Sequence, residues 1–162
     1  MPSQPSSQPS IRVDLPLWRQ EWDLLVRLPR RVLVVACSGD QDVDAVAGVE
    51  AIAAGQRSRA LLVRGVVAAI FAEQLTDTDI ATGSVDAAKV LADCGFAARL
   101  VAGRLGPDIA QAYGEWLMEI AGSVGRVAWR LERIRLGGID VQLAERRFVN
   151  GIAGELAQAL RR

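Results

Sequence analysis

The sequence has no histidine, and one lysine, Lys89, among its nineteen basic residues. Without histidine, Ser-His-Asp and Cys-His catalysis, His-ligated zinc and an imidazole pH switch are all excluded. The two cysteines, Cys37 and Cys94, are too few for a four-thiolate zinc or iron–sulfur site within one chain. Both have apolar neighbours and read as buried, reduced thiols. Cys37 has no basic residue beside it to stabilise a thiolate, which argues against a nucleophile. Net charge is also missing, because nineteen basic and nineteen acidic residues cancel. No nucleic acid is therefore expected as a partner, and no polybasic membrane contact. One tyrosine and three phenylalanines offer β-strands little aromatic support. Nor is there a long hydrophobic run. The longest, from Ala60 to Phe71, is broken by Arg64 and falls short of the roughly 20 residues a membrane span needs.

What remains is a chain of 162 residues, 51% hydrophobic, which is enough for one ordinary core. Its Ala, Val, Leu and Arg content suggests a GC-rich bacterial source. Met1 to Ser10 is rich in Pro, Ser and Gln and uncharged, with neither a basic nor an apolar region, so it does not read as a secretory signal. Residues 1–13 are expected to be a disordered tail ahead of a single domain over 14–162, in the cytoplasm.

Helical spacing recurs along that domain. Leu17, Trp18, Trp22, Leu25 and Val26 share a stripe, and Pro29 is expected to end that helix or start the next. The following apolar run, up to Ser38, fits a buried helix or a buried strand equally. Val43, Val46, Val49 and Ala53 are spaced for a second helix, with Gly55 as its stop. Ser58 is placed to cap a third, with Leu62, Val66, Ala69 and Ile70 inward. Ser84 is placed to cap a run from Val85 to Arg104. Gly106-Pro107-Asp108 is a start signal for the clearest stripe in the chain: Ile109, Ala112, Trp116, Ile120, Val124, Val127 and Leu131. After Gly137-Gly138, Asp140 is expected to cap a last helix carrying Leu143, Phe148, Ile152, Leu156 and Leu160. The expected fold is an all-α, single-domain bundle of six or seven helices. Its rival is α/β, with a strand at Val32–Ala36. Trp18, Trp22 and Trp116 are expected in the core.

Two groups of residues are candidates for chemistry. Asp40, Asp42 and Asp44, with Glu50 beyond, occupy the first, third and fifth places of an EF-hand-like loop. Ala45 stands where that loop needs glycine, and Ala51 where it needs its closing acid. The same stretch, residues 38–44, resembles phosphate loops of the S-G-G-x-D-S type and the opening motif of DHH phosphoesterases. Asp40 puts a negative charge where the former needs bare backbone N–H groups, and the latter holds its metals partly through histidine. A nucleotide or phosphoester enzyme centred on 38–44 is accordingly the alternative function. The plain reading is an acidic turn before a helix N-terminus, able at most to hold a hard divalent cation such as Ca, Mg or Mn weakly. The second group is Arg126, Trp129, Arg130 and Arg133, cations flanking an aromatic, an arrangement that suits stacking on a nucleic acid or binding an acidic partner, though the zero net charge weighs against the former.

The pattern Trp116-Leu117-x-x-Ile120-Ala121, Gly138-Ile139-Asp140-Val141, Glu145, Phe148, Ile152, Leu156 resembles the tellurite-resistance TerB-like helical domains, mainly over 110–160. Gly138 stands where that family usually has Asp. Leu28 to Glu73 has a looser version of the rhythm, with Val46 and Glu50 four apart. The resemblance implies an all-α fold, no established catalytic activity, and a stress-response or scaffold role. The expected function is thus non-enzymatic, through protein–protein contacts with an unknown partner or as a homo-oligomer, with a weak divalent-cation site.

Overall fold

The computed structural model describes residues 15–37, 45–72, 86–132 and 139–161, with residues 45, 125–132 and 139–146 placed by their backbone alone. Among them are six α-helices and no strand: α1 (Arg19–Cys37), α2 (Ala45–Ala54), α3 (Leu61–Ala72), α4 (Ala87–Leu105), α5 (Pro107–Glu132) and α6 (Ile139–Leu160). A single 3-10 turn, Gly55–Arg57, joins α2 to α3. The all-α bundle is the observed fold. The α/β alternative is not, because Val32–Ala36 lies within α1. The expected tail, residues 1–13, lies outside the described residues.

α1 does not stop at Pro29. It runs on to Cys37 with the proline inside it, burying Leu25, Leu28, Val32 and Val35 along one seam. Proline has no N–H, so the carbonyl of Leu25, four residues back, loses its helical donor. The only tyrosine supplies the replacement. The Tyr113 hydroxyl, fully buried, donates to the Leu25 carbonyl oxygen at 2.8 Å. A buried acceptor without a partner costs about 1–3 kcal/mol, and here a side chain from another helix removes that cost.

Trp18 is not in the core. It is 70% exposed and occupies the position before α1, where its N–H donates to the Glu21 carboxylate at 2.8 Å. This is half of a capping box. The Arg104 guanidinium lies 5.9 Å over its ring and also donates to Glu21 at 3.1 Å. With Arg31 bonded to Asp93 at 2.8 Å, these pairs set α1 and α4 antiparallel. Trp22 packs at the edge of the core and Trp116 is buried in it.

α5 is the axle of the bundle and packs against each of the other five helices. Ala110, Tyr113, Trp116, Leu117, Ile120, Ala121 and Val124 are all buried. Gly114 lets α6 close in, since a Cβ there would lie 2.5 Å from Leu156 Cδ1. The turn into α5 is Gly106, whose φ of +106° suits glycine, followed by Pro107 at the first helical position as its fixed φ favours.

The structure refines further points of the sequence reading. On α2, Val46 and Val49 face solvent, while Gly48 and Ile52 face inward. A Cβ on Gly48 would run into the Leu33 side chain, so the close approach of α2 at this point, together with the burial of Ile52, goes with the inward face. Gly55 is not a left-handed stop. It is buried, and a Cβ there would lie 2.7 Å from Trp116 Nε1 and 2.8 Å from Val67 Cγ2. The cap of α4 is Asp86, whose carboxylate accepts from Ala88 N–H at 2.9 Å, rather than Ser84, which lies outside the described residues. α6 begins at Ile139, so Asp140 is inside it rather than capping it. Ser58 does not cap α3 itself: the helix begins at Leu61, and the Ser58 hydroxyl accepts from Ala60 N–H at 3.2 Å in the turn just ahead of it.

Candidate functional site

Of the expected cation ligands, Glu50 lies exposed on α2, while Asp40, Asp42 and Asp44 fall outside the described residues. Arg126, Trp129 and Arg130 lie on the last turns of α5, placed by backbone alone, and Arg133 falls outside. Among the described residues no three carboxylates or thiols gather into a metal-holding group.

Neither cysteine is activated. Both are free. Cys94 is fully buried, and its thiol is pushed up to about 12, mainly by burial, then by the Asp93 and Glu155 carboxylates, with Arg31 acting against them. Partial burial pushes the Cys37 thiol up as well. A nucleophilic thiol needs the opposite shift. Burial also raises Tyr113 well above its ordinary value, consistent with a phenol that stays protonated as a donor to Leu25.

A shallow cleft of about 250 Å³ opens between the 3-10 turn and α5. Its floor is Gly55 and Trp116; Arg57, Glu115 and Glu119 stand at its rim. The Trp116 indole N–H is already committed to the Ala51 carbonyl at 3.1 Å, and its ring meets Tyr113 edge-on at 6.0 Å. The rim charges are exposed. The cleft thus pairs no nucleophile with a base; its polar groups are structural or in water.

The surface is more informative. α2 and α3 carry one charged residue each, Glu50 and Arg64. A helix apolar on all sides is normally buried on all sides. These two bury only part of their circumference, leaving Val46, Val49, Leu61 and Phe71 in the open. Helical spacing put Val46 and Val49 on one stripe but could not distinguish a stripe facing the bundle from one facing away. The signal for the difference was the glycine at 48, four residues before Ile52.

Comparison of the chain with family models, with characterised proteins and with solved structures finds no match. Among the described residues, no helix is long and apolar enough to cross a membrane.

Proposed function

We propose that this chain is a non-enzymatic, TerB-like helical protein of the bacterial cytoplasm that works by docking a protein partner on the apolar faces of α2 and α3. The observation that carries this reading is the exposure of Val46, Val49, Leu61 and Phe71 on two helices with a single charge apiece. Such surface is costly to leave in water and marks contact sites. The unactivated thiols and the cleft without a reactive pair support a binding role over catalysis. A photo-crosslinking amino acid placed at Leu61 or Phe71 in cells should yield an adduct of one discrete mass. The same probe at exposed Arg59 should not. Equal, diffuse labelling from all three positions would sink the reading.

A weak divalent-cation site at Asp40, Asp42 and Asp44, with Glu50 nearby in sequence, belongs to the same proposal. Hard oxygen ligands suit Ca, Mg or Mn. Calorimetric titration of each ion should give heat with the native chain and none with Asp40→Asn/Asp42→Asn/Asp44→Asn. Equal heats for both chains would remove the site.

A further inference from the structure

The solvent faces of α4 and α5 differ in sign. On α4, Lys89, Ala92, Phe96, Arg99 and Gly103 are all exposed, and their spacing of three and four residues puts them on one face. That face holds two cations and no acid. Asp93 is bonded to Arg31; Asp86, exposed three residues before Lys89, accepts from Ala88 N–H at the cap; and the Glu155 carboxylate of α6 reaches α4 at buried Gly95, beside this face rather than on it. Phe96 stands 52% exposed between two small residues, Ala92 and Gly103, with nothing within 4 Å of where a Cβ on Gly103 would be. On α5, Asp108, Gln111, Glu115 and Glu119 are exposed at the same spacing. That face holds three acids and no base. Arg57 stands across the cleft from Glu115 and Glu119 and leaves the surroundings net negative.

The two faces do not satisfy one another within the molecule. Among the described residues the ion pairs are Arg31–Asp93 and Arg104–Glu21, and neither involves these faces. Glu115 accepts only from its own helix neighbour, Gln111, at 2.9 Å. At a rise of about 1.5 Å per residue, Lys89 and Arg99 lie about 15 Å apart along α4, and Asp108 and Glu119 about 17 Å apart along α5. Two cations thus match two carboxylates in spacing. Phe96 between them can seat as a knob among the stems of Asp108, Gln111, Ala112 and Glu115, the four-residue hole a helix surface offers.

We infer that the chain self-associates, with the α4 face Lys89–Phe96–Arg99 of one copy seated on the α5 face Asp108–Glu115–Glu119 of another. Charge complementarity names the occupant: the acidic helix that the α4 face requires is present in the same chain, exposed and unpaired. Opposite charges set the partner and the register, and the aromatic knob supplies apolar burial. The contact uses faces other than those of α2 and α3.

Sedimentation velocity over a concentration series tests it, with two charge reversals, Lys89→Glu/Arg99→Glu and Glu115→Lys/Glu119→Lys. All four positions are exposed, and circular dichroism verifies that each variant keeps its helices. The native chain should gain mass with concentration and lose it in high salt. Each reversal alone should weaken association by roughly tenfold or more. An equimolar mixture of the two variants should associate again, because each restores the complement of the other. A native chain that stays monomeric throughout would overturn the inference. So would association indifferent to both reversals, or a mixture that stays apart. Adducts formed from Leu61 and Phe71 should survive both reversals, so this contact and the docking proposed for α2 and α3 stand or fall separately.

Discussion

α2 and α3 differ from α4 and α5 in what tells each helix which way to turn. On α4 and α5 polarity decides. Lys89, Arg99, Glu115 and Glu119 are exposed, while Val90, Val101, Leu117 and Ile120 are buried. On α2 and α3 there is almost no polarity to use. Close packing decides with it: the single charges, Glu50 and Arg64, face out, but so do Val46, Val49, Leu61 and Phe71, while Gly48 and Gly65 go inward with Ile52, Leu62, Val66 and Ile70. A helix oriented by polarity finishes with a solvated face. A helix oriented by close approach can finish with an apolar face in water, and that surplus is where a partner is recognised.

The largest test of this difference is a buried residue on the polarity-oriented side. Leu117→Ala on α5 should cost about 2–5 kcal/mol, the usual range for emptying a well-packed leucine site, as read from urea unfolding. At the turn between α2 and α3 a comparable loss should come from adding atoms rather than removing them. Gly55→Ala should cost about 1–3 kcal/mol, because the new methyl meets the Trp116 ring, itself held by the Ala51 carbonyl. A Gly55→Ala protein of native stability would show that close approach does not orient this part of the bundle.

Next in size is the coupling between Pro29 and Tyr113. Tyr113→Phe should cost about 1–3 kcal/mol by stranding the Leu25 carbonyl. Adding Pro29→Ala returns a backbone N–H to that carbonyl, so the double variant should recover a large part of the loss. Additive losses in the double-mutant cycle would mean that the tyrosine is not serving the proline gap.

Alkaline pH should lower stability as well. The Cys94 thiol lies at about 12 in the folded protein against an ordinary 9.0. The unfolded chain therefore gives up its proton first. The stabilisation from keeping the thiol neutral is complete below about pH 9 and is lost as pH rises toward 12. Tyr113, also raised, acts in the same direction. Urea midpoints measured from about pH 8 to about pH 11 should fall, and Cys94→Ala should flatten the fall. Smallest of all should be Val49→Ala on the exposed side of α2, within about 0.5 kcal/mol of the native chain. It should matter to the partner and not to the fold.

The local signals that proved readable were those with one dominant cause. Gly106-Pro107-Asp108 announced the start of α5, and the stripe through Trp116, Ile120 and Val124 announced its buried face. Trp18 was misplaced because helical spacing ran one residue too far: it precedes the helix, where its backbone is bonded and its ring is not covered. Asp86 was overlooked as a cap because Ser84 offered the same chemistry two residues earlier. Pro29 was misread because a proline inside a helix is normally unfavourable, and the group that offsets it lies 84 residues downstream, on α5.

Composition and spacing alone were enough to exclude histidine chemistry and to make the chain helical, since both follow from residue identity and from contacts a few positions apart. Which faces are buried was another matter. The side to which α2 turns, the partner that completes α1 at Leu25, and the opposed charges that α4 and α5 show to solvent all depend on residues brought together from distant parts of the chain. Local periodicity carries no information about those neighbours. Only when α5 stands in the middle of the bundle do Gly48, Gly55 and Tyr113 acquire the contacts that explain them.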